Sequence, residues 1–168
     1  MAETARLAGA IRHSSVNGPG VRYVLFFQGC PHHCPGCQNP ETWDPEKGTP
    51  TAISTIIEEI LTTRYLDGLT LSGGEAFLQA EAAAEIAAAA KQAGLSVWCY
   101  TGYTFEELMG ADAPPHTMTL LQQLDVLVDG RFQEAEKDPE LLYRGSKNQR
   151  ILQVPQSLTK KNPIIAKL

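Results

Sequence analysis

A chain of 168 residues, 43% hydrophobic and 20% charged, has the length and composition of one globular domain, able to bury about two-thirds of its unfolded surface; intrinsic disorder is excluded. No apolar run reaches the roughly 20 residues that span a bilayer, and the N-terminus lacks the basic-then-apolar order of a secretory signal, so a cytoplasmic protein with neither membrane nor nucleic acid as partner is expected. The net charge of −5 is divided unevenly: residues 1–140 carry 8 basic and 19 acidic side chains, whereas residues 141–168 carry 6 basic and none acidic. Residues 1–168 therefore read as one domain with a basic C-terminal segment, a run that is often no more than a solvated surface.

Strands and helices alternate along the chain, which predicts a mostly parallel sheet with helices packed outside it. Residues 22–28, Arg-Tyr-Val-Leu-Phe-Phe-Gln, form a continuous apolar, β-prone run expected of a strand buried on both faces. From Pro50 to Leu61 the apolar residues 53, 56, 57, 60 and 61 make a helical stripe. Residues 68–71 give a second strand, and the alanine-rich stretch 81–93 gives a helix with Gly94 as its C′ residue. Residues 96–100 read as a third strand. Thr104, with Glu107 three residues on, caps a short helix. After the break at Ala113-Pro-Pro-His116, a helix over 118–124, a fourth strand over 125–128 and a fifth over 150–154, closed by Pro155, complete the series.

The predicted strands end on chemically distinctive residues. Gln28 leads into Cys30-Pro-His-His-Cys34-Pro-Gly-Cys37, Leu71 into Ser72-Gly73-Gly74-Glu75, Tyr100 into Thr101-Gly102, and Val128 into Asp129-Gly130-Arg131. Strand C-terminal ends are where α/β barrels place their sites, but a closed eight-fold barrel takes about 250 residues, so only an open, partial one is expected here.

Three cysteines within eight residues point to metal ligation in a reducing compartment rather than to a disulfide framework. Three thiolates can hold an iron–sulfur cluster while leaving one iron open to a small molecule. The spacing alone also admits a Cys₃His zinc site completed by His13, His32 or His33. His32 and His33 read as polar loop residues near the sulfurs, and Cys99, flanked by apolar residues, as a buried small hydrophobe. Gly73 and Gly74 would let a ligand approach the backbone, although Gly-Gly is also common in a plain strand-to-helix turn.

With its C-x₃-C-x₂-C spacing, the Gly-Gly-Glu element about 35 residues on, and Asn17-Gly-Pro-Gly-Val-Arg22 ahead of the cysteines, the chain resembles the radical S-adenosylmethionine (SAM) activases of glycyl-radical enzymes. Asn39 and Trp43, Tyr100-Thr-Gly-Tyr103, residues 125–131 and Arg144-Gly-Ser-Lys-Asn-Gln-Arg150 extend the resemblance to the branch acting on anaerobic ribonucleoside-triphosphate reductase, across roughly residues 6–155. It implies an α/β fold of the partial, open β/α barrel type. Cys30, Cys34 and Cys37 would hold three irons of a [4Fe–4S] cluster, and SAM would chelate the fourth. Ser72, Gly73, Gly74, Glu75, Thr101, Gly102, Asp129 and Arg131 would contact SAM, with Glu75 at its ammonium and Arg131 at its carboxylate. Gly36 stands where the wider superfamily often has an aromatic residue, and Tyr100 where related activases have an aspartate, so no monovalent cation site is carried over.

The implied reaction is reductive cleavage of SAM to methionine and a 5′-deoxyadenosyl radical, which takes a hydrogen from a glycine Cα of the reductase; no side chain need be a general base. The implied partners are the glycyl-radical reductase and a flavodoxin-type electron donor, the latter meeting residues 141–168. Activation of another glycyl-radical enzyme would use the same residues. A non-catalytic iron–sulfur or zinc module would show no SAM turnover.

Overall fold

The computed structural model describes residues 2–168. Seven strands, β1 (Thr4–Ser14), β2 (Arg22–Phe27), β3 (Thr49–Ala52), β4 (Gly68–Gly73), β5 (Ser96–Tyr100), β6 (Val126–Asp129) and β7 (Arg150–Gln153), form one open mixed sheet in the order β3-β1-β2-β4-β5-β6-β7. The helices are α1 (Ile53–Thr62), α2 (Ala80–Gln92), α3 (Phe105–Leu108), α4 (Thr117–Leu121) and α5 (Val154–Lys160). None of the described helices is long and apolar enough to cross a membrane.

The parallel centre β2-β4-β5-β6 matches the four apolar runs, and their C-terminal ends share one edge of the sheet. Several outer elements differ from the sequence expectation. β1 pairs antiparallel with both β2 and β3, with irregular register between Leu7 and Gly9 and between Ile11 and Ser14. Only Ala5 and Ser14 of its residues are buried, so no apolar alternation marks it. The short connection 15–21 enforces its direction, because parallel neighbours need a crossover of a dozen or more residues. β7 is antiparallel to β6, which keeps the whole connection 130–149 at the edge where β6 ends. Pro155 does not close the last strand but starts α5, where its missing N–H is harmless.

The two faces of the sheet differ in chemistry. Val97, Cys99, Leu127 and Leu152 face the main core with α1, α2 and α4. The small buried side chains of α2, Ala83, Ala87 and Ala90 among them, let that helix lie close to the sheet. Alternation sends Trp98, Val128 and Ile151 to the opposite face, with Tyr100 and Tyr143 beside them.

That second face holds a buried cation. Arg22 is fully buried; Nε donates to Thr70 Oγ1 at 2.8 Å, Nη1 to Pro19 O and Ser96 Oγ, and Nη2 to Leu69 O and Ser96 O. Its guanidinium lies 5.6 Å from the Trp98 ring centre. Burial pulls its pKa down to about 10. The fork crosses directly over Gly68, where a Cβ would come within 2.4 Å of three guanidinium atoms, so no other residue fits at the start of β4. Arg22→Met should lower the unfolding free energy by about 3 kcal/mol by stranding two or three buried acceptors. Arg22→Lys should recover little, because an ammonium cannot span the five contacts. A urea midpoint for Arg22→Met equal to that of the unsubstituted chain would refute this role.

Candidate metal and cofactor site

The cysteine loop is closed at its base by backbone bonds: Gly29 N–H donates to Thr42 O at 2.6 Å and Cys30 N–H to Trp43 O at 3.1 Å. Buried Gln28 adds Nε2 bonds to Glu41 O and Asp44 O. Inside the loop Cys37 N–H donates to Cys34 O, and Asn39 N–H lies 3.4 Å from Cys37 Sγ. The His33 ring stacks on Trp43 at 4.6 Å and 7°. All three thiols are partly exposed and free of disulfides. Burial pushes Cys30 up while the amides of His32 and His33 pull it down; at Cys34 burial is opposed by the Phe132 amide. Amides aimed at sulfur favour the thiolate that metal binding requires.

Ser72-Gly73-Gly74 lies against the start of that loop. Gly73 has φ +88, and a Cβ there would sit 2.4 Å from Phe27 N; at Gly74 it would sit 2.3 Å from Gly29 O. Only glycines permit Gly74 N–H to reach Phe27 O and Glu75 N–H to reach Gly29 O, each at 2.7 Å.

Three residues expected at SAM, Glu75, Asp129 and Arg131, have partners within the chain and are not part of the cavity lining. Glu75 is fully buried, and its carboxylate accepts from His32 Nε2 at 2.8 Å, Thr101 Oγ1 and Gly102 N–H at 2.9 Å, and Phe77 N–H at 3.1 Å. It braces the turns from behind. The Asp129 carboxylate, also buried, is taken by Arg150, at 3.0 and 2.5 Å, and by Phe105 N–H. Arg131 forks onto Glu107 at 3.0 and 3.3 Å and holds that carboxyl down to about 2. Neither Asp129 nor Arg131 borders the cavity described next.

That cavity, of about 500 Å³, opens at the edge where the parallel strands end. Cys30, Cys34 and Cys37 line it together with Ser72, Gly73, Gly74, Thr101 and Gly102, eight of the eleven residues expected at the site. The volume lies in the range of small-molecule sites, roughly 300–1,000 Å³. Among the described residues no three His, Cys, Asp or Glu side chains converge tightly enough to enclose a single ion. Trp43, beside the cysteines, lines the cavity with a buried Nε1–H that has no acceptor. Three partly exposed thiols with nearby amide donors and an orphaned indole N–H suit a sulfur-rich, anionic group, so the residues fit a [4Fe–4S] cluster. Cys99 is fully buried in the helix-side core, away from this wall.

Phe26 and Phe132 also line the cavity and were not assigned to it from sequence, and so does Arg144, in the segment 144–150 that the resemblance implies is a ligand- or partner-facing loop. Phe26 carries a signal in hindsight, lying two residues before the loop on the same face as Arg22. The motif marks the loop, but that Arg144 is the side chain on the cavity wall depends on the fold of residues 130–149.

Glu75→Gln would put an NH₂ donor into a ring of donors. It should cost about 3–5 kcal/mol, the scale of breaking a buried charged network, and lower the iron retained per chain after gel filtration. Stability and iron content equal to those of the unsubstituted chain would show that the carboxylate does not pin the two turns.

A family model described as a 4Fe-4S single cluster domain matches residues 16–152. The anaerobic ribonucleoside-triphosphate reductase-activating proteins of Salmonella typhi and Escherichia coli (strain K12) are 39% and 38% identical to this chain over 143 residues, covering 80% of it and 89% of each relative. That of Enterobacteria phage T4 is 36% identical over 143 residues, covering 81% of this chain and 86% of its own. Among solved structures, QueE from Escherichia coli superposes with a TM-score of 0.45 at 15% identity, covering 60% of this chain and 53% of that one. With a family model matched over most of its length and relatives matched over most of theirs, this chain belongs to the anaerobic ribonucleoside-triphosphate reductase-activating proteins, a 4Fe-4S single cluster family.

Proposed function

We propose that this chain is a radical SAM activase that generates a glycyl radical on an anaerobic ribonucleotide reductase. The observation that carries the reading is one cavity that joins the three thiols of the C-x₃-C-x₂-C loop to the open backbone of Ser72-Gly73-Gly74 and Thr101-Gly102. Cys30, Cys34 and Cys37 would hold the [4Fe–4S] cluster. When bound, cluster and SAM supply a one-electron cleavage whose products are methionine and 5′-deoxyadenosine, with one hydrogen atom taken from a glycine Cα of the partner. The chain's own groups bind, orient and exclude water. Ser72, Gly73, Gly74, Thr101 and Gly102 present backbone to SAM, Phe26 and Phe132 supply apolar wall, and Glu75 and Asp129 hold the turns from behind. In this reading the open sheet is a partial β/α barrel, and residues 1–168 are one domain.

The electron donor is proposed to be an acidic flavodoxin-type protein that docks on the basic C-terminal segment. Of its six cations, Arg144 lines the cavity and Arg150 is paired with Asp129 and Glu106, which leaves Lys147, Lys160, Lys161 and Lys167 exposed. Opposite charge mainly raises encounter rates and is screened over about 8 Å at physiological ionic strength. Replacing Lys160, Lys161 and Lys167 with glutamate should slow reduction by flavodoxin at low salt while leaving dithionite-driven SAM cleavage intact. Unchanged flavodoxin kinetics would remove the segment from the donor interface.

The reading as a whole is tested anaerobically. The reconstituted chain should bind about four irons, and SAM should shift the EPR signal of the reduced cluster. Cys30→Ala, Cys34→Ala and Cys37→Ala should each abolish both, Cys99→Ala neither, and mixing with the reductase should yield a glycyl-radical signal. A chain that binds iron but never cleaves SAM would instead be a non-catalytic module.

A further inference from the structure

We propose that Arg144, not Arg131, anchors the carboxylate of SAM. The assignment rests on the activase reading above and deepens it by naming the group that fixes the methionyl end of the ligand.

Arg144 is the one lysine or arginine among the described residues that lines the cavity, and no aspartate or glutamate lines it. Nη1 donates to Gln149 O at 2.8 Å, whereas Nε is buried and makes no hydrogen bond. A buried donor on a charged group is costly to leave unpaired, which favours a turn of the side chain toward an acceptor that enters the cavity. SAM carries one anionic group, its carboxylate; its ammonium and sulfonium are repelled by a guanidinium. Guanidinium and carboxylate also match in shape, two parallel N–H donors to two oxygens.

The loop that carries Arg144 is fastened to the exit of β6. Gln149 Oε1 accepts from Gly145 N–H and Ser146 N–H, its Nε2 donates to Gly130 O at 3.0 Å, and Asn148 Nδ2 donates to Arg131 O. The Arg144 backbone is therefore positioned before any ligand arrives, which limits the ordering cost of binding. Arg131, by contrast, is already neutralised by the Glu107 fork and does not border the cavity.

The test is anaerobic equilibrium dialysis of the cluster-loaded protein against SAM and against decarboxylated SAM, with iron content measured for every variant. Arg144→Gln should weaken SAM about 10- to 100-fold, the scale of a charge-assisted hydrogen bond, and change the affinity for decarboxylated SAM by less than about twofold. Arg144→Lys, which keeps the charge and loses the fork, should fall between. Arg131→Gln should bind SAM within about twofold of the unsubstituted protein. Equal losses for both ligands in Arg144→Gln would show a general disturbance of the loop and overturn the assignment. So would undiminished SAM binding, or a larger loss in Arg131→Gln. If the unsubstituted, cluster-loaded protein binds no SAM, the activase reading itself falls, and the role of Arg144 with it.

Discussion

A carboxylate without access to water needs donors on every side, and Glu75 draws them from loops far apart in the chain. His32 comes from the cysteine loop after β2, Thr101 and Gly102 from the turn after β5, and Phe77 from the turn that Glu75 itself begins. Three segments thus meet at one buried anion, and the cavity lies on their other side. Because the low local dielectric strengthens each bond and penalises its loss, the three segments are held in one relative placement. The cysteine loop and the cavity-lining glycines are therefore a single unit.

The central strands were legible because burial on both faces leaves an unbroken apolar run, as in Tyr23-Val-Leu-Phe-Phe27. The capping box predicted at Thr104 is present, with Glu107 returning the bond, and Gly94 takes a positive φ after α2. The cysteines and the glycine pair were legible because their chemistry is local. β1 was not, since a strand with most of one face in water shows neither an apolar run nor alternation. Nor were the partners of Glu75, Asp129 and Arg131, which, the Phe77 amide apart, are tertiary pairings with residues 21 to 43 positions away. A motif names the residue that matters without saying whether it faces the ligand or the wall behind it.

Arg22 illustrates the same limit from the other side. An arginine opening an apolar strand carries no local sign of its partners, yet its fork binds the Pro19 turn to β4 and β5. The Gly-Pro-Gly sequence ahead of it shapes a turn whose carbonyl meets the guanidinium. The stretch that the resemblance marks ahead of the cysteines thus also ties the starts of β2, β4 and β5 together.

The distribution of charge follows from these pairings. The body is acidic by eleven charges over residues 1–140, yet no carboxylate borders the cavity. Several carboxylates close to it are occupied: Glu75 by backbone and side-chain donors, Asp129 and Glu106 by Arg150, and Glu107 by Arg131 and its capping bond, whereas that of Glu134 lies against Gly36 of the cysteine loop. An unpaired carboxylate on the wall would repel thiolates and any anionic group held by them, and would compete for a guanidinium. With these groups paired one layer back, the cavity wall is left with thiols, His32, uncharged polar and aromatic side chains, backbone dipoles and one arginine. That lining suits an anionic cluster and, in the reading proposed above, the carboxylate of SAM, because most of the neighbouring acids of this acidic chain are engaged in pairs of their own.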